Sequence, residues 1–392
     1  MTSEKIPVTL VTGFLGSGKT TLLNHLLSQQ HGKRLAIIEN EFGEIGIDDT
    51  LLIDANGSSG IFKMNNGCLC CTVKDDLVTT LTTLHERRAE FDQVIIETTG
   101  VANPVGVLKT FLLNEDLQEM FSVDAVVTLV DAAHILDHLD REECREQIAC
   151  ADLVIVNKID LVSEGKVLEV EAAIKSMNPL AALVRQQRSA MPSNQIFGLN
   201  AFMSAPNLLG QSATESGEGS NCAHEGEQCG HNHDHGHDHD CGHGHDHGHI
   251  NGHVHEHTHE CDDKEGHCSH DHGHAHAHEH SHHHDIDLQS VSLQVEQPID
   301  KVKFNTWFAA LLFNQGDRLY RVKGILHFHG EEPLVVQAVH RVVETAGRTG
   351  SSQATAANEQ KNKTSSRIVF IGKIGQAEKV EIETGFKACL QV

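Results

Sequence analysis

The sequence predicts an α/β fold, a doubly wound and mostly parallel sheet, followed by a smaller α+β domain. Three observations predict it. Short apolar runs alternate with helix-forming stretches through about the first 200 residues, the pattern of strand–helix–strand units and parallel pairing. A glycine-rich loop at 13–20 follows the first apolar run and opens a helix. A histidine-rich tract with almost no large apolar residue then separates this half from a second patterned stretch.

Taken in order, strands are expected at 8–12, 35–38, 93–97, 125–130, 153–156 and 182–184, each a short run rich in Val, Ile or Leu. Helices are expected at 19–28, 74–87, 104–114, 141–150 and 164–176. Beyond the tract, 290–295 alternates as a strand, and 301–312 is amphipathic with Val302, Phe304, Phe308 and Leu312 among its apolar positions. Strands are expected again at 320–328, 334–342 and 367–372, and the polar stretch 349–366 reads as a mobile loop. The expected domains are therefore 1–209, a disordered linker at 210–286, and 287–392.

The chain of 392 residues carries a net charge of −25, which argues against a nucleic-acid surface. Residues 221–287 hold 15 Asp or Glu against one Lys, and 24 of the 32 histidines, so much of the charge is local. The first seven residues are polar and no apolar run approaches the ~20 residues of a membrane span, so a cytoplasmic protein with no membrane partner is expected. Eleven cysteines, an odd number, then suggest thiols or metal ligands rather than disulfides.

Residues 13–20 read GFLGSGKT. This is a phosphate-binding loop: Gly13, Gly16 and Gly18 let the backbone N–H groups turn inward, Lys19 supplies a point charge to the β- and γ-phosphates, and the Thr20 hydroxyl suits Mg²⁺. Ser17 and Thr21 complete the expected phosphate set, which sits at a helix N-terminus. The base is read from LVIVNKID at 153–160. Guanine presents two donors on one edge, and the Asp160 carboxylate accepts from both; Asn157 braces the loop and the Lys158 stem lies on the ring face. A GTP site is the reading. Residues 66–71 read NGCLCC, and Cys68, Cys70 and Cys71 are thiolates suited to Zn²⁺ with one tetrahedral position left open for transfer; buried inert cysteines are the competing reading. Cys144 and Cys150 read as core residues, and Cys389 gives no signal.

GFLGSGKTTLLN, IENEFGEIGID, NGCLCC, IIETTGVANP and NKIDL, in this order, resemble the CobW-type metallochaperone GTPases, a group of the SIMIBI class that also holds the nickel-insertion GTPases of hydrogenase and urease. The likeness covers 7–200 and extends through YRVKGILHF and RIVFIG to that family's C-terminal domain. It implies a P-loop GTPase fold and roles by position. Lys19 and Glu97 match the hydrolysis machinery, with Gly100 beside Glu97. Glu39 to Glu44, with Asp48 and Asp49, match the first switch; Glu39 and Glu44 become metal candidates and Asp48 a Mg²⁺ candidate, although Glu39, Glu41 and Glu44 equally fit a solvated loop. Cys68, Cys70 and Cys71 match the metal triplet, and Asn157, Lys158 and Asp160 the guanine loop. Two departures stand out: Asn103 replaces an Asp frequent before the proline of that segment, and the Cys-Pro-Glu docking peptide of the eukaryotic activators is absent, so a methionine aminopeptidase client does not carry over.

The run HNHDHGHDHDCGHGHDHGH, with His231, His233, His235, His237 and His239, offers many overlapping His/Asp sites and no unique one. Its expected job is to collect Zn²⁺, with Co²⁺ or Ni²⁺ as alternatives, near the thiol site; a solvated spacer competes. His327 and His329 alternate on an expected strand and read more simply as a solvated sheet face. The resemblance implies a GTP-dependent zinc chaperone that hands metal to an unidentified client metalloprotein and hydrolyses GTP slowly without it. A storage or sequestration protein with nucleotide only as a stabiliser is the alternative, and a small-molecule kinase is disfavoured by the guanine loop. Oligomeric state, homo-oligomer included, stays open.

Overall fold

A computed structural model describes residues 4–29, 31–40, 52–53, 60–64, 73–204, 288–347 and 365–391. The 349–364 part of the expected loop and the whole expected linker lie outside these residues. Among them, the first half builds an eight-stranded sheet from β1 (Ile6–Gly13), β2 (Leu35–Asn40), β3 (Leu52–Ile53), β4 (Gly60–Met64), β5 (Gln93–Glu97), β6 (Phe121–Asp131), β7 (Leu153–Asn157) and β8 (Ala182–Arg185). Their order is β3-β4-β2-β5-β1-β6-β7-β8. Every neighbouring pair is parallel except β3 with β4. Six of these strands were legible in the sequence. The short β3 and β4 were not, because two and five residues are too few for a period to register.

The helices are α1 (Lys19–Ser28), α2 (Val73–Glu86), α3 (Pro104–Leu113), α4 (Glu115–Met120), α5 (Glu142–Cys150) and α6 (Glu164–Met177). The central strands β1 and β7 are buried almost throughout, which is why they read as near-continuous apolar runs rather than alternating ones. Helix starts follow local chemistry. Asn103 caps α3 by accepting from the Val105 N–H at 2.8 Å, with Pro104 in the first turn. An Asp at 103 would cap in the same way, so the departure from the family pattern keeps this function.

The second half forms an antiparallel sheet of order β12-β11-β10-β13-β9, from β9 (Leu288–Val295), β10 (Leu319–Leu326), β11 (Leu334–Val339), β12 (Val342–Gly347) and β13 (Ser366–Lys373). Two helices, α7 (Lys301–Gln315) and α8 (Gln376–Ala388), cover its outer face, packing Phe304, Phe308, Ile382 and Phe386 into one core with Phe370 of β13. Three expectations need correction. The run 334–342 is a hairpin, not one strand: Val339 pairs with Val342 across His340 and Arg341, and His340 takes the left-handed conformation (φ 52°) that a two-residue turn demands. No Gly or Asn marked that turn. Strand β10 ends at Leu326, so His327 and His329 share no strand face; His327 is buried and His329 exposed in a turn. Helix α8 went unread, although its buried Ile382 and Phe386 are four apart as a core-facing stripe requires.

The inner face of the second sheet packs on α3, α5 and α6. Leu288, Tyr320, Ile325, Val335 and Ile371 thereby join one core with Val130, Ile148, Val170 and Ile174. Both sheets thus belong to one compact unit. A buried charge group lies in the seam. Asp152, at the entry to β7, accepts from Arg321 Nη2 at 2.7 Å and Lys323 Nζ at 3.1 Å through Oδ1, and from the Val126 N–H at 3.0 Å through Oδ2. Burial works against ionisation of Asp152, but the two cations outweigh it and hold the carboxyl below its ordinary range. Burial also pulls Lys323 down to about 8 against the attraction of Asp152. Arg321 Nη1 additionally donates to the Cys150 carbonyl at 2.7 Å, and its guanidinium lies 4.7 Å from the Phe202 ring centre.

Two outcomes are expected. Arg321→Met should destabilise the protein by about 3 kcal/mol or more, because it leaves a buried carboxylate with a weakened counter-charge; the urea midpoint reads this, and adding Asp152→Asn should recover part of the loss. Glu146 gives a pH signature. Burial, with Glu142 one turn earlier and Glu143 adding to it, pushes Glu146 up to about 7, while Lys373 and Lys109 oppose. The folded chain then binds this proton more tightly than the unfolded one, so stability falls as pH rises from the ordinary carboxyl value through 7. Glu146→Gln should raise the melting temperature at pH 8 and leave it unchanged at pH 4.

Candidate nucleotide site

The parallel sheet reverses direction of winding at β1, and in open sheets of this kind ligands bind at such a point, beyond the strands' carboxyl ends. Gly13, Glu97, Asp131 and Asn157 are the last residues of β1, β5, β6 and β7. Register sets Gly13 beside Leu129 and Asp131 beside Asn157, so one edge of the sheet carries all four.

The loop between β1 and α1 is bent by three glycines at positive φ: Gly13 at 140°, Gly16 at 73° and Gly18 at 107°. Two of them also lack room. A Cβ on Gly13 would lie 2.2 Å from the Leu129 carbonyl, and one on Gly18 would lie 2.4 Å from Asn157 Nδ2. Lys19 is buried, and its ammonium donates to the carbonyls of Gly13 at 2.8 Å and Phe14 at 3.3 Å. Burial lowers its pKa and Glu97 opposes that shift. Thr20 Oγ1 donates to Glu97 Oε1 at 3.3 Å, so the hydroxyl and the carboxylate expected around Mg²⁺ stand together. Thr21 is exposed in the first turn of α1.

The residues fit a bound triphosphate on two further observations. Ser17 Oγ and Thr99 Oγ1 are buried with no hydrogen-bond partner among the described residues, and both belong to loops that follow β1 and β5 at this edge of the sheet. The loop after β5 also packs directly on the phosphate loop: a Cβ on Gly100 would lie 2.7 Å from the Leu15 backbone.

At the end of β7, Asn157 is buried and its amide is fully used. Nδ2 donates to the Ser17 carbonyl and to Ser189 Oγ, both at 2.8 Å, and Oδ1 accepts from the Ser189 N–H at 2.9 Å. Ser189 Oγ in turn donates to the Gly18 carbonyl at 3.0 Å. Lys158 holds a left-handed backbone (φ 62°) and its ammonium pairs with Asp131 Oδ2 at 2.7 Å. Burial would push Asp131 up, but its hydrogen bonds to Lys158 and His134 hold it below the ordinary carboxylate range. Asp160 follows in a short 3-10 turn, Ile159–Leu161, with its side chain exposed.

Ser189 and Asp131 were missed by sequence reasoning. The signal for Ser189 was its place just after the strand next to β7, and for Asp131 its place at the end of an apolar run. The strand β2 carries Glu39 into register with Glu97, but the Glu39 side chain lies outside the described residues. Glu44, Asp48, Cys68, Cys70, Cys71 and His231 to His239 lie outside them altogether.

Comparison with known proteins places these features. Residues 7–185 match the model of the CobW/HypB/UreG nucleotide-binding domain, and residues 288–390 match that of the cobalamin synthesis protein cobW C-terminal domain. A zinc chaperone CobW of Pseudomonas aeruginosa is 39% identical over 231 residues, covering 51% of this chain and 61% of that protein. A zinc chaperone CobW of Sinorhizobium is 34% identical over 261 residues, covering 59% of this chain and 70% of that protein. Over the first relatives, the match spans from 49% to 64% of their length. The crystal structure of Zn(II)-bound YjiA GTPase from E. coli shares the fold, with a TM-score of 0.64 at 24% identity, over 99% of this chain and 100% of that one.

The crowding at Gly18 gives a test of the site. Gly18→Ala drives a methyl group into the Asn157 amide at a backbone angle that L residues rarely adopt. Nucleotide affinity, read by calorimetry, should fall at least tenfold, and the melting temperature of the nucleotide-free protein should fall too, because the strain of about 1–3 kcal/mol is present without nucleotide.

Proposed function

Because this chain belongs to the CobW/HypB/UreG family and carries the CobW C-terminal domain, we propose that it is a GTP-dependent zinc chaperone that hydrolyses GTP and passes metal to a client metalloprotein. The observation that carries the nucleotide half is the Asn157 amide, which locks the base loop to the phosphate loop at the Ser17 carbonyl. The zinc half is supported by the NGCLCC triplet and by relatives named zinc chaperones.

Each residue then has a task. Lys19 exchanges its loop carbonyls for phosphate oxygens, where one ammonium neutralises the charge that builds up on hydrolysis. Thr20 and Glu97 would hold Mg²⁺, which supplies further charge neutralisation at the β- and γ-phosphates when bound. Glu97 also stands where a carboxylate can orient an attacking water. Asp160 accepts from the two donors of the guanine edge, and the Lys158 stem, held by Asp131, lies against the ring. Cys68, Cys70 and Cys71 hold the transferred zinc, with Glu39 and Glu44 as further donors and Asp48 near Mg²⁺. Residues 39–71 contain both the switch segment and the thiols, so a change in one reshapes the other. The histidine run, His231 to His239 included, raises the local concentration of loosely held metal.

Zinc titrations of the protein loaded with a GTP analogue and with GDP test the coupling. Different affinities are expected, with the difference abolished by Cys68/Cys70/Cys71→Ser, and linkage requires zinc to shift nucleotide affinity by the same factor. Equal affinities would favour the second reading, a zinc, cobalt or nickel store. That reading draws on the 24 histidines of residues 221–287 and predicts that their removal abolishes metal capacity while Lys19→Ala leaves it intact.

A further inference from the structure

Helix α5 belongs to no motif, yet it is buried along most of its length and touches both the phosphate loop and the loop that follows Glu97. At its start, the Arg141 guanidinium lies 5.3 Å from the centre of the Phe14 ring, which also packs on His138 at 4.7 Å. Phe14 is the phosphate-loop residue whose carbonyl accepts from the Lys19 ammonium and, at 3.2 Å, from the Ser17 N–H. In the middle of the helix, Gln147 is 1% exposed. Its Nε2 donates to the carbonyls of Gly100 at 3.1 Å and Ala102 at 3.2 Å, both in the loop that follows Glu97. The Gln147 carbonyl accepts from Thr128 Oγ1 at 2.8 Å, which fixes the helix on β6.

The same helix is gripped from the other side. Glu142 Oε1 accepts from the Tyr320 hydroxyl at 3.1 Å and from the Lys373 ammonium, on β10 and β13. Its last carbonyl, on Cys150, accepts from Arg321 of β10. One short helix therefore bridges the phosphate loop, the hydrolysis loop and the second sheet through hydrogen bonds and packed rings, without the guanine loop.

We infer that Gln147 is a positioning residue for GTP hydrolysis and that α5 couples the hydrolysis loop to the C-terminal sheet, so that β10 responds to the state of the nucleotide. The inference rests on the hydrolytic reading above and adds to it a residue and a route. A primary amide is the side chain that suits the position: both N–H bonds meet carbonyls of one loop, and a shift of that loop breaks two bonds at once. Holding 100–102 fixes the chain just beyond Glu97 and keeps Gly100 against Leu15. The coupling is reciprocal, so contacts made on β10 must feed back on nucleotide binding or turnover.

The full chain tests this with Gln147→Met, which keeps the side chain's length and removes both donors, and Gln147→Glu, which keeps its shape and turns acceptors toward the two carbonyls. Three measurements are needed: single-turnover GTP hydrolysis, GTP affinity, and amide exchange across 319–326 with a GTP analogue against GDP. In the parent, exchange at 319–326 should differ between the two nucleotides. Both variants should lose that difference and hydrolyse GTP roughly tenfold more slowly or worse, as a misplaced catalytic loop does, while binding GTP within about twofold of the parent. Parent-like hydrolysis and exchange in both variants would overturn the inference. So would equal losses in turnover, affinity and melting temperature, which mark a structural residue only. If the parent itself hydrolyses no GTP, the hydrolytic reading fails, and the exchange arm still decides whether α5 couples nucleotide to the sheet.

Discussion

The Asn157 side chain is the constraint around which the nucleotide site is organised. It is a single amide at the end of a fully buried strand, and it makes three hydrogen bonds to two separate loops. Its donor to the Ser17 carbonyl fixes the distance between the segment expected to hold phosphates and the segment expected to read a base. Its closeness to Gly18 forbids any side chain there. Ser189 closes the ring by reaching back to the Gly18 carbonyl. The two loops are thereby held together before any ligand arrives, so on the proposed nucleotide reading little ordering would be left for the moment of binding.

The second constraint is electrostatic and lies at the opposite end of the same strand. Asp152 is buried with Arg321 and Lys323, two cations from the other sheet. Removing such charges from water is expensive, and their attraction repays it only when the geometry is complete. Each Asp152 oxygen and both guanidinium ends of Arg321 find partners here. The group also acts as a register pin, since the antiparallel sheet cannot slide over α5 without stranding a charge. Apolar contacts such as Tyr320 with the α5 and α6 core supply the bulk of the seam's stability, and the charges select one way of making it.

The parallel domain was legible because its chemistry is local. A strand followed by GFLGSGKT, or by NKID, marks the strand's end and the turn after it within eight residues. Buried Val, Ile and Leu runs located six of its strands to within a few residues. The partners of the site were less legible because they come from a distance. Ser189 gains its role from being 32 residues from Asn157, and Asp131 from a register 27 residues away from Lys158. The hairpin at His340 was hidden for a different reason: a left-handed residue without the usual Gly or Asn leaves no mark in composition. His327 was read as one of a solvated pair on a strand and is buried beyond the strand's end, because β10 stops at Leu326, two residues sooner than expected.

The chain contains one tyrosine and one tryptophan, and the fold sets them in different layers. Tyr320 has its phenol in the seam, hydrogen-bonded to Glu142 and edge-on to His340 at 5.4 Å. Trp307 lies in the outer helical layer against Gly385, among Phe304, Phe370 and Phe386. The protein thus carries two native optical labels, one at the joint between its sheets and one in the far layer of the second. Phenol and indole emission separate in wavelength, so ultraviolet light alone can distinguish loosening of the joint from melting of the outer helices without attaching any dye.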